Sequence, residues 1–254
     1  MVGEAIRTLP RDRVIVATKC GRVVDETGTP HSNLRPESIR AEMDASLRRL
    51  GVDHVDLYQI HWPDNETGTR LEDSWGVLAD LLDEGKTRWI GVSNFSVEQL
   101  AACEPIRHVD SLQPPYSMLR RDSERELIPW CAANGTGVIC YSPMQAGVLS
   151  GTFEMGRVAE DDWRRRNPYF QEPALTRNLA LVESLRPIAA RVGCTVGQLA
   201  VAWVLRLPAV TAAIVGARRP EQVAQNVVAS SIHLSAEDVA EIEGLLAGHR
   251  STDT

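Results

Sequence analysis

The sequence predicts an α/β protein of the (β/α)-barrel type, and three observations carry that expectation. Short β-branched runs alternate with longer helical patterns, as βαβ units of a parallel sheet do. Each predicted strand closes on a polar residue or a glycine: Lys19, His61, Ser93 with Asn94, Gln113, Tyr141 with Ser142, and Gly216. In a barrel such ends converge on one face, where the loops build a site. A doubly wound dinucleotide-binding sheet would instead carry G-x-G-x-x-G after its first strand, and the chain has none.

The elements follow in order. Val14-Ile15-Val16-Ala17 is the first predicted strand, and a helix is expected over residues 38–50, where Ile39, Met43, Leu47 and Leu50 share one face. Pro36 suits its first turn, and Arg48, Arg49 and Gly51 suit its end. Strand 55–60, helix 71–84 and strand 89–92 come next, and Ser96 with Gln99 forms a capping box for the following helix. Residues 111–113 read as a short strand, Asp122 as the cap of a helix that Gly135 stops, and 138–141 as the fifth strand. Residues 143–176 are loop-rich and too long for an ordinary connection, which suggests a functional lid. Helices at 177–192 and 195–207, a strand at 211–215 and helices starting near Pro220 and Ser235 complete the chain. No linker divides it, so one domain over 1–254 is expected.

With 254 residues the chain can bury a large core, and 43% hydrophobic with 24% charged residues is the composition of a folded protein. A formal charge of −7 disfavours nucleic acid as partner. Five cysteines, widely spaced and without a C-x-x-C pair, read as reduced thiols of a cytoplasmic protein, with no metal site. No run of 18 apolar residues occurs, so no membrane partner is expected.

Taken singly, these polar residues have ordinary explanations. Lys19 reads as a solvated strand end, His61 as a hydrogen-bonded core imidazole, Ser93 and Asn94 as a turn, Gln113 as a filler at a proline kink, and Tyr141 as core. Their joint position at strand ends is what points to a site. Arg218 and Arg219 precede a helix start that favours an anion, which suggests a phosphate site. Arg164-Arg165-Arg166 beside Asp161-Asp162 reads as an exposed, self-neutralising patch.

At these residues the chain resembles the aldo-keto reductase family. The resemblance runs through residues 78–95, ending Arg88-Trp89-Ile90-Gly91-Val92-Ser93-Asn94-Phe95. It continues in Ala17-Thr18-Lys19-Cys20-Gly21, residues 56–63, Gln113-Pro114-Pro115-Tyr116-Ser117, Tyr141-Ser142-Pro143-Met144 with Gly147 and Leu149, and residues 214–222 with Asn226. It implies an eight-stranded (β/α) barrel of the TIM type that binds NADP(H) and reduces an aldehyde or ketone, a small-molecule carbonyl substrate, by hydride transfer. By the same resemblance the nicotinamide stacks on Tyr141, and Ser93, Asn94 and Gln113 hold its carboxamide. The pyrophosphate lies under the Ser142-to-Leu149 loop, which includes Met144 and Gly147. Gly216, Arg218, Gln222 and Asn226 serve the 2′-phosphate and adenine end, and Trp62 lines the substrate pocket.

The family's reaction uses a Tyr acid, a Lys that lowers its pKa, an Asp that pairs with the Lys, and a His that orients the substrate. Lys19 and His61 match two of these as catalytic residues. The Asp and Tyr belong to a strand and turn ahead of a helix whose tail resembles Val2-Gly3-Glu4-Ala5-Ile6-Arg7. By that alignment two strands lie upstream of Met1, six of eight are expected here, and the chain reads as N-terminally shortened. Tyr58 has strand parity opposite to His61, which leaves Tyr116 as the one substitute acid. Two other readings remain open: an NADP(H)-binding module or sensor without turnover, and a Schiff-base lyase on Lys19.

Overall fold

The computed structural model describes residues 2–250. Its elements are, in chain order, α1 (Val2–Arg7), β1 (Ala17–Cys20), β2 (Arg22–Val24), β3 (Pro30–Ser32), α2 (Pro36–Leu50), β4 (Val55–Ile60), α3 (Leu71–Asp83), β5 (Thr87–Ser93), α4 (Val97–Cys103), β6 (Ser111–Gln113), α5 (Leu127–Asn134), β7 (Gly137–Tyr141), α6 (Ala174–Val192), α7 (Val196–Leu205), β8 (Val210–Ile214), α8 (Pro220–Val228) and α9 (Ala236–Arg250). Six strands form one sheet in the order β1-β4-β5-β6-β7-β8, and β2 pairs with β3 in a separate antiparallel hairpin. The pairings β1-β4, β4-β5, β5-β6 and β6-β7 are all parallel. The chain divides into two compact units, Met1–Pro114 with Glu126–Val138, and Pro115–Arg125 with Ile139–Thr254.

In the first unit the sheet is covered by amphipathic helices. β4 is buried along its whole length. Ile39 and Met43 of α2 and Trp75, Leu78 and Leu81 of α3 have no exposed surface. Pro36 sits in the first turn of α2, and Gly51 ends it in the left-handed region at φ 71°. The Ser96–Gln99 capping box forms as expected.

The first strand is a correction: pairing runs over Ala17–Cys20, three residues beyond the predicted run. The β-branched residues do mark extended backbone. However, Val16 gives its N–H to the buried Asp56 carboxylate at 2.7 Å, and its carbonyl accepts from the N–H groups of Asp56 and Leu57. Arg11 pairs with the same carboxylate at 2.8 Å. Lys19 therefore lies within the strand, in register with Gln59, rather than after it. Asp122 is a second correction. It opens a 3-10 turn over Asp122–Glu124, and the helix proper begins at Leu127 without a side-chain cap.

In the second unit α7 is buried on nearly every side, and α6 contributes Leu181, Leu185 and Ile188 to the same core. Trp203 has its ring 5.4 Å from that of Tyr116, with the Arg206 guanidinium 3.7 Å above it. Arg206 and Arg121 bridge Glu124 and Glu243 in a four-residue ion network. The expected long loop is broken into 3-10 turns at Gln145–Ser150, Met155–Arg157, Trp163–Arg166 and Pro168–Phe170, and α6 starts three residues earlier than predicted. All five cysteines are unpaired, four of them buried. No single described helix is long and apolar enough to cross a membrane.

Candidate functional site

In the first unit the ends of β4, β5 and β6 bring His61, Ser93, Asn94 and Gln113 into one hydrogen-bonded neighbourhood, and Lys19 of β1 lies close enough for its charge to act on His61. His61 follows β4, and its N–H donates to the carbonyl of Cys20 at 3.0 Å. Burial, reinforced by the positive charges of Lys19 and Arg22, holds the imidazole below its ordinary pKa, so at neutral pH it is uncharged and still carries one N–H donor. Burial likewise lowers the Lys19 pKa. Among the described residues no carboxylate pairs with Lys19. Trp62 is 46% exposed.

Ser93 and Asn94 tie β5 to its neighbours. Ser93 Oγ donates to the Gln113 carbonyl at 2.8 Å, and Asn94 Nδ2 donates to the His61 carbonyl and to Ser93 Oγ, both at 3.0 Å. Asn94 adopts φ 63°, a conformation that Asn tolerates better than most residues. Beneath them runs a buried chain that sequence reasoning missed. Gln113 Nε2 donates to Gln59 Oε1 at 3.1 Å, and Gln59 Nε2 donates to Ser111 Oγ at 3.0 Å. Gln59 shares strand parity with His61, and that parity was the available signal. Close approach of β5 and β6 is possible here because Gly91 faces Ser111: a Cβ on Gly91 would stand 2.4 Å from Ser111 Oγ.

In the second unit Tyr141 ends β7, half-buried, and burial raises its pKa. The chain then turns through Ser142 at φ 57°, Gln145 at φ 45° and Ala146 at φ 52°, three side-chain-bearing residues in the left-handed region, before Gly147 at φ 104°. Each such residue costs about 1–3 kcal/mol, and strain of this kind persists only where the surroundings enforce it. A groove of about 750 Å³ is lined by Tyr141, Ser142, Met144, Gly147, Gly216, Arg218 and Gln222 among others. A second cavity of about 500 Å³ shares Met144, Gly216 and Gln222 and adds Asn226. Leu149, expected at the end of the same loop, has a fully buried side chain and lines neither cavity.

The expected anion site is modified by its own sequence. Gln222 Oε1 accepts from the backbone N–H groups of Arg218 and Arg219, at 2.8 and 3.2 Å, so those donors are already engaged. The Arg218 and Arg219 guanidinium groups form no ion pair among the described residues. The Arg164–Asp162 pair neutralises itself as expected, with Nη2 to Oδ2 at 2.7 Å, but it is only 18% exposed and borders the groove. Hydrogen bonds from Arg164 and the nearby Arg218 charge hold the Asp162 carboxyl at about 2.

Tyr116 is a further correction. Its hydroxyl is bonded to Glu124 and accepts from Arg206 Nη1 at 2.8 Å, within the buried ion network. That geometry removes it from the role of substitute acid. Tyr58 donates to the Ile39 carbonyl at 3.2 Å, on the helix-covered side of β4, as its parity requires. Among the described residues no cluster of His, Cys, Asp or Glu could hold a metal ion.

Comparison with known proteins covers nearly the whole chain. It is 38% identical over 248 residues to the NADH-specific methylglyoxal reductase of Escherichia coli (strain K12), covering 94% of this chain and 76% of that one. It is 35% identical over 252 residues to aldo-keto reductase YhdN of Bacillus subtilis (strain 168), covering 97% and 74%. Among solved structures, the glycerol dehydrogenase AKR11B4 from Gluconobacter oxydans matches with a TM-score of 0.89 at 34% identity, covering 98% of this chain and 76% of that one. The Aldo/keto reductase family profile matches residues 1–247. The strand-end residues thus sit in a parallel α/β sheet whose structural neighbours are (β/α)8 barrels, and the chain belongs to the aldo/keto reductase family, oxidoreductases of carbonyl compounds.

Proposed function

We propose that this chain is an NADP(H)-dependent reductase of small aldehydes or ketones, working as a single barrel domain over residues 1–254. The observation that carries the reading is the groove of about 750 Å³, with Tyr141 and Ser142 on its wall and the Arg218 cation at its rim. The residues fit a dinucleotide. Gly147, which follows the left-handed turn and lines the groove, brings no side chain into it, and Arg218 suits a phosphate monoester. When bound, NADP(H) supplies the hydride. Tyr141 offers a ring face for stacking, Ser142, Met144 and Gly147 the pyrophosphate wall, and Gly216, Arg218, Gln222 and Asn226 the 2′-phosphate and adenine contacts. Leu149 contributes packing under the loop rather than a contact.

In the first unit, Ser93, Asn94 and Gln113 offer hydroxyl and amide groups for a carboxamide. Neutral His61 donates a hydrogen bond that orients a carbonyl oxygen, and the Lys19 charge favours an oxyanion. Trp62 supplies an apolar wall for a small carbonyl compound. Unpaired cysteines fit a reducing compartment, and we place the protein in the cytoplasm.

Cofactor fluorescence titration tests the reading. NADPH is expected to bind more tightly than NADH, and Arg218→Ala to erase the difference. Equal or tighter binding of NADH by the unaltered chain overturns the NADP(H) assignment in favour of NADH, the cofactor named for one relative.

A second reading, a cofactor-binding module with little turnover, is favoured by the Tyr116 and Tyr58 hydroxyls being committed elsewhere. Loss of a positioned acid typically costs about 10²- to 10⁴-fold in rate. NADPH consumption by the 254-residue chain across an aldehyde panel separates the two.

A further inference from the structure

We propose that Pro115-Tyr116-Ser117 is a brace that sets the backbone of the Tyr141-to-Gln145 turn, which makes Ser117 and Gln145 positioning residues for dinucleotide binding. The brace grips the turn at both ends. At the first, Pro115 forms a parallel bridge with Tyr141, and the Tyr116 N–H donates to the Tyr141 carbonyl at 3.1 Å. At the second, Ser117 Oγ donates to Gln145 Oε1 at 2.9 Å, a bond between side chains that are almost entirely buried.

The brace is itself anchored. Ser123 Oγ donates to the Pro115 carbonyl at 2.9 Å, the Arg120 N–H donates to Ser117 Oγ at 3.1 Å, and the Tyr116 ring is pinned against Trp203 with its hydroxyl in the Glu124–Arg206 network. Between the two gripped ends the backbone is held where side-chain-bearing residues do not go unaided, with Ser142 and Gln145 both at positive φ. Three backbone hydrogen bonds depend on that shape: Gln145 N–H to Ser142 O at 2.8 Å, and the N–H groups of Gly147 and Leu149 to Met144 O at 3.0 and 3.1 Å.

Gln145 does not line the groove, whereas Tyr141, Ser142, Met144 and Gly147 do. An effect of Gln145 on a ligand there must therefore pass through the backbone it fixes. Pre-setting that backbone spares the ligand the cost of ordering it. The inference rests on the reading that this groove takes the dinucleotide, so its test has one arm without cofactor and one with it.

The variants are Ser117→Ala, Gln145→Leu, which keeps size but loses the acceptor, and Gln145→Glu, which keeps it. In cofactor-free protein, hydrogen exchange of residues 142–149 is expected to quicken in the first two variants and to stay near the parent in the third. With NADPH, the dissociation constant is expected to rise about tenfold in the first two, roughly 1.4 kcal/mol, and to be restored in Gln145→Glu. Unchanged exchange in Ser117→Ala, or equal behaviour of Gln145→Leu and Gln145→Glu, overturns the brace. Faster exchange with an unchanged NADPH constant overturns the positioning role, as does a lowered melting temperature with neither of the other changes. Should Gln145→Leu fail to fold, Ser117→Ala decides. If the parent chain binds neither NADPH nor NADH, the functional reading fails, and exchange still decides whether the brace exists.

Discussion

Gly91→Ala is the sharpest single-atom perturbation the first unit offers. A Cβ at this position would meet Ser111 Oγ at 2.4 Å, Ser111 O at 2.5 Å and Ser111 C at 3.3 Å. Two of these three atoms are backbone, on the strand residue paired in register with Gly91, so no side-chain rotation relieves the contact. β5 and β6 must separate. Overpacking of this kind costs about 1–3 kcal/mol. Separation also weakens the bond from Gln59 Nε2 to Ser111 Oγ, adding about 1 kcal/mol for a buried amide left poorly paired. For a chain of this length each kcal/mol shifts the melting temperature by about 2–4 °C, so a fall of roughly 5–15 °C is expected. Thermal unfolding followed by circular dichroism measures it. Adding Ser111→Gly to Gly91→Ala removes the Oγ contact and leaves the carbonyl contact, so less than half of the loss should return. A Gly91→Ala melting point within about 1 °C of the parent would refute the close-approach argument.

Three further outcomes are expected. Lys19→Met should raise the melting temperature at pH 7, because it removes an ammonium that burial penalises; the folded pKa is depressed, so the advantage over the parent should shrink as pH rises toward about 10.4, where the unfolded lysine deprotonates. His61 also has a depressed folded pKa, so its contribution is complete above about 6.5 and is lost as pH falls toward the folded value; urea midpoints between pH 7 and 5 should fall more steeply in the parent than in His61→Gln, and parallel curves would contradict this. Tyr116→Phe leaves Glu124 and Arg206 short of a partner and should lower stability by about 1–3 kcal/mol in denaturant titration, while any NADPH-dependent turnover changes by less than about threefold; a hundredfold loss would make the hydroxyl the acid after all.

The strands that were legible in sequence are those whose surroundings leave no choice. β4 is buried along its whole length and carries Val55, Leu57, Tyr58 and Ile60 around Asp56 and Gln59, and β6 is cut off by two prolines; both have the predicted bounds. β1 was displaced because a β-branched run reports extended backbone, whereas the paired residues are chosen by the register with Leu57 through Ile60. The β2–β3 hairpin has strands of three residues each, too short for any periodicity to accumulate.

At the candidate site, strand ends located Lys19, His61, Ser93, Asn94 and Gln113, since a change of residue type at the end of an apolar run is a local signal. Gln59 escaped because it lies inside the strand, and the burial of the Leu149 side chain is not legible because a motif position says nothing about which way a side chain packs. The commitment of Tyr116 to Glu124 and Arg206 depends on residues 8 and 90 positions away, a relation that no local pattern carries.

The buried chain Gln113–Gln59–Ser111 has a direction. Gln113 gives its NH₂ group to the Gln59 oxygen, and Gln59 gives its own to a hydroxyl, so each amide is oriented by the one beyond it. The terminus left over is the oxygen of Gln113, which has no side-chain partner among the described residues. Flipping Gln113 alone would set its oxygen against that of Gln59, so the senses of the two amides are tied together. A visitor at that point thus meets an acceptor whose sense is coupled to that of the neighbouring amide, and a group carrying a proton to share is received.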